Sequence, residues 1–252
     1  MEINKTYLGD CLELMPKYID DKSIDMIFCD LPYGTTKCRW DSPIDLDKLW
    51  VEYERIIKDN GVIVLFAQTP FDKVLGASNL KLLRYEWIWE KTAASGHLNA
   101  KKMPMKAHEN LLVFYKKLPT YNPQKTTGHE RKVSLAEHKI NCNESDVYNK
   151  GQKLTSYDST ERYPRSVQIF ASDKQLSNLH PTQKPLALIE YMILTYTNEG
   201  DLILDNASGS GTTGLGAKNL KRNYIMMEND PEYYIVSKDR VNEEREITFR
   251  LI

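Results

Sequence analysis

The chain has 252 residues, of which 41% are hydrophobic, and its formal net charge is −1 at pH 7. This size and composition support one α/β domain with an insertion, and the charge excludes a protein that coats nucleic acid by bulk positive charge. The four cysteines form no Cys-x-x-Cys pair, which indicates reduced thiols and neither a zinc site nor a disulfide framework. Since the start lacks the apolar core of a signal peptide and no run approaches the ~20 apolar residues of a membrane span, we expect a cytoplasmic protein with no membrane or metal partner.

Hydrophobic periodicity predicts strands that alternate with helices along most of the chain. In chain order these are strand 6–10, helix 11–19, strand 24–29, helix 46–58, strand 62–67, helix 70–79, strands 85–89 and 111–115, helix 186–197, strand 202–205, helix 212–220, strand 224–227 and helix 231–247. No helix-length pattern separates 85–89 from 111–115, so we expect these two strands to form an antiparallel edge of the sheet. Residues 117–179 are polar and lack a long periodic element, which is typical of a functional or disordered segment.

A short acidic and aromatic segment, Cys29-Asp30-Leu31-Pro32-Tyr33-Gly34, follows the predicted buried strand 24–29. Ligands of open α/β sheets bind at the carboxyl ends of strands. The carboxylate of Asp30 and the carbonyl of Leu31 can each accept one N–H of an amino group. Pro32 fixes φ and removes a competing donor, and Tyr33 offers a face for stacking. The alternative is a strand followed by a proline turn with a packed tyrosine.

A glycine-rich loop, Asp205-Asn-Ala-Ser-Gly-Ser-Gly-Thr-Thr-Gly214, lies between a predicted strand and a predicted helix. Its glycines match the Gly-x-Gly-x-x-Gly fingerprint, and Glu228 follows ~20 residues later at the end of the next strand, where an acid grips ribose hydroxyls. The loop by itself therefore fits a nicotinamide or flavin dinucleotide, S-adenosyl-L-methionine, or a plain turn.

Three segments in one order resemble the motifs of DNA amino-methyltransferases. Residues 30–33 resemble their Asp-Pro-Pro-Tyr motif, with Leu31 in place of the first proline. Residues 205–213 resemble Asp-x-Phe-x-Gly-Ser-Gly-Thr-Thr, with Ala207 in place of the aromatic residue, and residues 180–185 closely match His-Pro-Thr-x-Lys-Pro. The catalytic tetrapeptide comes first and the cofactor loop last, as in the β group of this family. The resemblance covers about 6–116 and 178–240.

The resemblance implies a Rossmann-like methyltransferase fold, with a seven-stranded, mostly parallel sheet, an antiparallel edge and a circularly permuted motif order. It assigns residues 1–116 and 178–252 to a catalytic and cofactor-binding domain, and residues 117–177 to a target-recognition insertion. The strands that end at Asp30 and Asp205 would be neighbours, so that both ligands meet at the switch point between them.

The resemblance also implies roles for matched residues. Asp30, Leu31, Pro32 and Tyr33 would form the catalytic pocket. The expected contacts of S-adenosyl-L-methionine are Asp10, Cys11, Asp30, Thr182, Lys184, Asp205, Ser208, Gly209, Gly211, Thr212, Thr213, Glu228 and Asn229. Among them, Asp10 would contact the adenine, Glu228 the ribose, and Asp205 would brace the loop or reach the ammonium. Asp10 could instead be a helix cap and Lys184 a solvated surface lysine, and we expect His180 to be a packing residue.

Positive charge is concentrated in the middle of the chain, where nine lysines and arginines between Lys91 and Lys132 face two glutamates. This asymmetry is the footprint expected for phosphate contact, and a solvated loop is the alternative. The predicted DNA contacts are Lys37, Arg39, Lys101, Lys102, Lys106, Lys125, Arg131 and Lys132. Residues that read the base sequence are expected within about 120–178.

The sequence thus predicts a methyltransferase that acts on the N6 amine of an adenine flipped out of duplex DNA. Adenine is favoured because serine at the position of Asp30 more often accompanies cytosine-N4 enzymes of the family. The alternatives are a cytosine-N4 DNA methyltransferase, an RNA methyltransferase, a non-catalytic DNA-binding relative and, more distantly, a dinucleotide oxidoreductase. The resemblance also suggests a homodimer, encoded by a bacterium or phage, of the restriction-modification or orphan type and associated with the nucleoid.

Overall fold

The computed structural model describes residues 2–34, 42–135, 156–173 and 183–242. The strands are β1 (Lys5–Leu8), β2 (Ile24–Cys29), β3 (Ile57–Ala67), β4 (Leu83–Ser95), β5 (Lys106–Phe114), β6 (Lys132–Ser134), β7 (Tyr157–Ser159), β8 (Val167–Phe170), β9 (Leu202–Asp205) and β10 (Asn223–Glu228). The helices are α1 (Cys11–Tyr18), α2 (Leu46–Ile56), α3 (Phe71–Ser78), α4 (Leu186–Tyr196), α5 (Thr212–Asn219) and α6 (Pro231–Asn242).

The main sheet has the strand order β1-β10-β9-β2-β3-β5-β4-β8. Strand β5 is antiparallel to β3 and β4, and every other neighbouring pair in this sheet is parallel. The carboxyl ends of β2, β3, β4, β9 and β10 therefore lie at one edge of the sheet, which is the edge where ligands bind in such folds.

The mostly parallel sheet and the antiparallel pairing of β4 with β5 confirm the sequence-based expectation. Two details were wrong. The described sheet has eight strands, because β8 pairs in parallel with β4, and β4 and β5 are therefore not at the edge. Strand β8 has four residues in a polar segment, too short to show a clear alternation, and its Ile169 is 64% exposed. Its position depends on the partner strand.

Both faces of the sheet are covered, because side chains alternate along each strand. In β2, Ile27 and Cys29 pack on the side of α1, α2 and α3, whereas Met26 and Phe28 pack on the side of α4, α5 and α6. Burial on both faces explains why the central strands appear in the sequence as continuous apolar runs. It also leaves the strand ends as the place where polar ligands can enter.

The boundaries of α2 illustrate how local signals operate. Asp45 caps this helix by accepting hydrogen bonds from the amides of Asp47 (3.1 Å) and Lys48 (3.2 Å). The helix ends at Ile56, two residues earlier than predicted, and the chain enters β3 directly at Ile57.

Residues 123–165 form a compact unit of their own, distinct from a unit of residues 1–122 and 166–252. In the smaller unit, β6 and β7 pair as an antiparallel ribbon, and Arg131 binds both carboxylate oxygens of Asp158 at 2.6 and 2.8 Å. The small unit lies inside the predicted insertion 117–177, whereas β8 belongs to the main sheet.

None of the helices that the structure describes is both long enough and apolar enough to cross a bilayer. In the same described residues, His, Cys, Asp and Glu side chains form no group of three or more that could hold a metal ion.

Candidate active site

Two acidic residues end two neighbouring strands at the ligand-binding edge. Strands β2 and β9 are paired in parallel, with Met26 opposite Ile203 and Ile27 opposite Leu204. Asp30 follows β2 and Asp205 ends β9, so the catalytic segment and the glycine-rich loop emerge side by side. The predicted neighbourhood of these two strands is confirmed.

A cavity of about 900 Å³ opens at this edge. Its wall contains most of the predicted site residues, namely Asp10, Cys11, Asp30, Leu31, Pro32, Tyr33, Lys184, Asp205, Ser208, Gly209, Thr212, Thr213, Glu228 and Asn229. Small-molecule sites are commonly of this size. Residues 30–33 and 205–213 therefore share one cavity.

Gly211 does not line this cavity. It has φ +73°, and a Cβ atom there would lie 2.9 Å from the backbone of Ser237 in α6. A side chain would therefore clash with that helix, so the structure gives Gly211 a role in packing the loop. Three predicted residues, Lys37, Arg39 and Thr182, as well as His180, lie outside the described residues.

Glu228 ties the glycine-rich loop to the end of β10. One carboxylate oxygen accepts a hydrogen bond from the amide of Gly209 (2.7 Å), and the other accepts one from Asp230 (2.9 Å). Burial raises the pKa of Glu228. A carboxylate can accept more hydrogen bonds than these two. Glu228 can therefore hold the loop and still accept a hydrogen bond from a ligand hydroxyl.

Asp205 is a buried acid at the centre of the cavity wall. It accepts a hydrogen bond from the amide of Ala207 (3.2 Å). Burial raises the pKa of Asp205 to about 7, against the opposing effects of hydrogen bonds from Thr213, Ala207 and Cys29. Its stabilising contacts in the described residues include no cation, and a bound ammonium group would therefore be favourable there.

The wall also contains buried polar atoms that fit a polar ligand. Asn206 Nδ2 and Ser208 Oγ have no hydrogen-bond partner among the residues that the structure places. The oxygen of the Asn206 side chain is already bound by the hydroxyl of Tyr53. Because an unpaired buried donor costs free energy, these atoms favour a ligand rich in hydrogen-bonding groups.

Asp10 is both a helix cap and part of the cavity wall. Its side chain accepts a hydrogen bond from the amide of Leu12 (2.8 Å) and caps α1. The neighbouring Cys11 is buried, and burial raises the pKa of its thiol to about 11. Cys11 is therefore a neutral wall residue at physiological pH.

A chain of alternating charges lies along the part of the cavity wall that contains Asp30. The ammonium of Lys184 lies 2.8 Å from Oδ2 of Asp30 and 2.9 Å from Oε2 of Glu109. Lys91 binds the other oxygen of Glu109 at 2.6 Å. The hydroxyl of Tyr33 donates to Oδ1 of Asp30 at 2.7 Å. Both oxygens of Asp30 are thus held.

This chain controls the charge states in the site. Burial raises the pKa of Asp30, and the ammonium of Lys184 offsets only part of that rise. Burial also disfavours charge on Glu109, but Lys184 and Lys91 outweigh it and lower the pKa of Glu109 to about 2. For Lys184, the two carboxylates outweigh burial and raise the pKa. Lys184 is therefore a charged partner that favours the ionised form of Asp30.

Aromatic rings surround the same group. Tyr33 stacks on Phe71 with ring centroids 5.0 Å apart, and the ammonium of Lys184 lies 4.9 Å from the centre of the Phe66 ring. A flat ligand entering beside Asp30 would meet an aromatic wall that is already held in place.

A family model described as DNA methylase matches residues 24–239, which include the cavity and both motif loops. The chain belongs to the N6/N4 DNA methylase family. Membership confirms the expected reaction class, the transfer of a methyl group from S-adenosyl-L-methionine to DNA.

Similar proteins support this placement of the methylase. The Type II methyltransferase M2.MboI of Moraxella bovis is 30% identical, over 94% of this chain and 87% of its own. The DNA adenine methyltransferase YhdJ of Escherichia coli is 28% identical, over 89% and 78%. The crystal structure of the M1.HpyAVI–SAM complex has a TM-score of 0.65 at 26% identity and covers 95% and 99% of the two chains.

The fold by itself does not identify the target base. The cytosine-N4-specific PvuII DNA methyltransferase, 18% identical over 96% of this chain and 87% of its own, also has a TM-score of 0.65. The base specificity of this methylase therefore has to be argued from residues in the cavity.

Sequence reasoning missed the charge network behind Asp30. Lys184 was expected to contact the cofactor or to lie in solvent, but it is 8% exposed and its ammonium binds Asp30. Glu109 and Lys91 entered only as charges in the basic middle. One sequence signal could have found Glu109, because this acid stands almost directly before the apolar run of strand β5. In the structure, Glu109 pairs with Trp89 of the neighbouring strand β4.

The predicted DNA contacts that the structure describes lie in two parts of the chain, the connection from β4 into the start of β5 and the unit of residues 123–165. Lys101 and Lys102 lie between β4 and β5, and Lys106 begins β5, where its ammonium donates to Gln68 Oε1 (3.2 Å). In the unit of residues 123–165, Lys125 pairs with Glu161 and Arg131 with Asp158. These two ion pairs reduce the positive charge that the small unit offers to a phosphate.

Replacing Lys184 by methionine tests its charge. Without the ammonium, burial is no longer opposed and the pKa of Asp30 rises, so the acid limb of kcat against pH should move to higher pH. We expect kcat at pH 7 to fall roughly ten- to hundredfold. Methyl incorporation into DNA measured from pH 5.5 to 9 gives the profile. Lys184→Arg keeps the charge and should shift the profile less. If the kcat–pH profile of Lys184→Met has the same shape as that of wild type and differs only in height, Lys184 does not control the pKa of Asp30.

Replacing Asp205 by asparagine tests the buried acid. In the unfolded chain this carboxyl ionises near ~3.9, whereas in the folded protein its pKa is about 7. Ionisation therefore favours the unfolded chain increasingly between these two values, and the full loss of stability persists above pH 7. Without cofactor at pH 8, Asp205→Asn should melt several degrees higher than wild type, and the difference should shrink near pH 4.

The same pair of proteins separates stability from binding. With S-adenosyl-L-methionine added, we expect the wild-type melting temperature to rise by more than that of Asp205→Asn, because the carboxylate is lost as a partner for the ammonium. Differential scanning fluorimetry measures both quantities. A wild type that is the more stable protein at pH 8 without cofactor would contradict the high pKa of Asp205.

Proposed function

We propose that this methylase transfers the methyl group of S-adenosyl-L-methionine to the N6 amine of an adenine flipped out of duplex DNA. The observation that carries the proposal is the shared cavity, in which Asp30 and Leu31 face the glycine-rich loop. The similarity to an adenine methyltransferase, YhdJ, supports the choice of base.

Asp30 and Leu31 supply what the reaction needs from the protein. An exocyclic adenine amine is a poor nucleophile, because its lone pair is delocalised into the ring. Hydrogen bonds from its two N–H groups to the Asp30 carboxylate and the Leu31 carbonyl would help to localise the lone pair and aim it. When bound, S-adenosyl-L-methionine supplies an electrophilic methyl group on a sulfonium. Holding the amine in line with it provides proximity and orientation.

The hydrogen bonds of Asp30 decide where the amine binds. Lys184 occupies Oδ2 and is itself held by Glu109, whereas Oδ1 is occupied by the hydroxyl of Tyr33. The ammonium is the stronger partner, since hydrogen bonds between charged groups exceed those of a neutral hydroxyl. The amine would therefore displace Tyr33 from Oδ1. The proton that leaves the nitrogen after methyl transfer would pass to the same carboxylate.

The cofactor would occupy the other half of the cavity. Asp10 and Glu228 would hold the adenosine, and Asp205 the ammonium of the methionine part. The loop at Ser208 and Gly209 would lie along it. Unpaired Asn206 Nδ2 and Ser208 Oγ are consistent with such a polar ligand.

DNA would be held by cations outside the cavity. We assign phosphate contacts to Lys101, Lys102 and Lys106, and, in the small unit, to Lys125, Arg131 and Lys132. We propose that the residues that read the DNA sequence lie within about 120–178. On the resemblance and the Type II names of relatives, we further propose a restriction-modification role near the nucleoid and a homodimer.

Nucleoside analysis of methylated DNA tests the base. DNA incubated with the wild-type protein and cofactor should contain N6-methyladenine after digestion and mass detection, and finding N4-methylcytosine alone would reject the base assignment. Asp30→Ala should reduce incorporation by a factor of roughly a hundred or more, because one of the two amine acceptors is gone.

A measurement of DNA binding shows whether Asp30→Ala loses methyl transfer or loses its substrate. In gel-shift titrations, Asp30→Ala should bind DNA as wild type does, since the change lies inside the cavity. Asp20→Ala, at an exposed aspartate away from the cavity, is a matched control that should keep full activity. A wild type that binds DNA and incorporates no methyl group would instead indicate a non-catalytic relative.

Two substitutions of Tyr33 separate its ring from its hydroxyl. Tyr33→Phe keeps the stacking face and frees Oδ1 of Asp30, so kcat should stay within a few-fold of wild type. Tyr33→Ala removes the ring, and a lost stacking interaction of ~1–3 kcal/mol corresponds to a fall of roughly five- to hundredfold. Single-turnover methyl transfer measures both. A phenylalanine variant as impaired as the alanine variant would show that the hydroxyl is required.

A further inference from the structure

The strands β4 and β5 continue beyond the body of the sheet as a protruding hairpin. Every residue of the segment 92–108 is exposed. Ser95 pairs with Lys106 at the base, and the tip contains a 3-10 turn at His97–Asn99 that follows Gly96, whose φ is +90°. Such an arm has no packing role of its own in the part of the chain that is described.

The tip carries large apolar side chains. Leu98 is 87% exposed, the highest value among the large hydrophobic residues of the described chain. Met103 and Met105 are 55% and 41% exposed. Exposed apolar side chains gathered on one arm indicate a surface that is covered by a partner.

The hairpin rises from the rim of the catalytic cavity. Thr92, Ala93 and Ser95 on its first arm line that cavity. On its second arm, Lys106 binds Gln68, which also lines the cavity. The tip therefore projects from the entrance through which a flipped base would come.

The charge of the hairpin identifies the partner. Lys101, Lys102 and Lys106 lie on it, and the sequence contains no aspartate or glutamate between Lys91 and Glu109. The lysines would attract a polyanion, and the apolar tip would bind a partner whose interior consists of stacked apolar surfaces. Duplex DNA is a polyanion with such an interior, and apolar side chains are known to wedge between base pairs.

We propose that Leu98 enters the base stack of the duplex and fills the place of the flipped nucleotide, while Lys101 and Lys102 contact the adjacent phosphates. Leu98 is chosen because it is the most exposed large hydrophobic side chain of the described residues and lies in a turn that the 3-10 hydrogen bonds hold. This role rests on the proposed function, since it requires a flipped base in the cavity.

The physical reason is the cost of extruding a base. Flipping breaks stacking and pairing and costs a few kcal/mol, less when the base is already unpaired. A leucine in the gap restores apolar contact with the neighbouring bases and excludes water. Leu98 would therefore increase the rate of methyl transfer to a paired target base, and would have little effect on that rate when the target base has no pairing partner.

The experiment compares two duplexes that contain the mapped methylation site. In the first the target base is paired, and in the second it lies opposite an abasic position. Leu98→Ala should lower single-turnover methyl transfer roughly tenfold or more on the first duplex and within about twofold on the second. Leu98→Met keeps an apolar side chain and should stay near wild type on both. Leu80→Ala, at another exposed leucine (69% exposed) outside the hairpin, is the matched control.

A fluorescence readout follows the base itself. With 2-aminopurine at the target position of the paired duplex, wild-type protein should raise the emission on binding, and Leu98→Ala should raise it less. Unchanged methyl transfer on the paired duplex, or an equal loss on both duplexes, would overturn the role of Leu98 and leave the proposed function standing. A wild type that methylates neither duplex would overturn both.

Discussion

The parallel pairing of β2 with β9 is the constraint on which the site depends. A parallel pair places both carboxyl ends at one edge, so Asp30 and Asp205 emerge together although they are far apart in the sequence. The apolar side chains of both strands are buried on two faces, and a slip by one residue would turn each set to the wrong face. Hydrophobic packing, which reaches Leu31 and Ala207, thereby fixes the relative position of the two loops that carry the polar site residues.

The second feature of the site is that its buried charges are treated in two different ways. Asp30 and Glu109 are paired with lysines, which favour the ionised form of each buried carboxylate. Asp205 is left with neutral hydrogen-bond donors and has a pKa near 7. Buried charges are costly unless they are paired. The compensated group thus suits a permanent acceptor, whereas the uncompensated one suits a cationic ligand that arrives and leaves.

In the proposed mode of binding, the substrate amine would compete with Tyr33 for the carboxylate of Asp30. The hydroxyl of Tyr33 donates to Oδ1 of Asp30, the proposed acceptor of the amine, and its ring stacks on Phe71. The hydroxyl satisfies the carboxylate while the site is empty of a base, so that the buried acceptor is not left unpaired. The hairpin of residues 92–108 differs from the site, since all its side chains are exposed and the proposed partner of the apolar ones is the DNA.

The sequence determined the fold class, the order of the motifs and the residues of the two motif loops that line the cavity. The strands and helices follow from apolar periodicity, whereas the motif order and the site residues follow from the resemblance of three segments to DNA amino-methyltransferases. Strand β8 and the network of Lys91, Glu109, Lys184 and Asp30 were decided by the tertiary structure. A four-residue edge strand has too little pattern of its own, and an ion network exists only when four separate segments meet. No one-dimensional signal distinguishes a lysine that will be buried against two carboxylates from one that will remain in solvent.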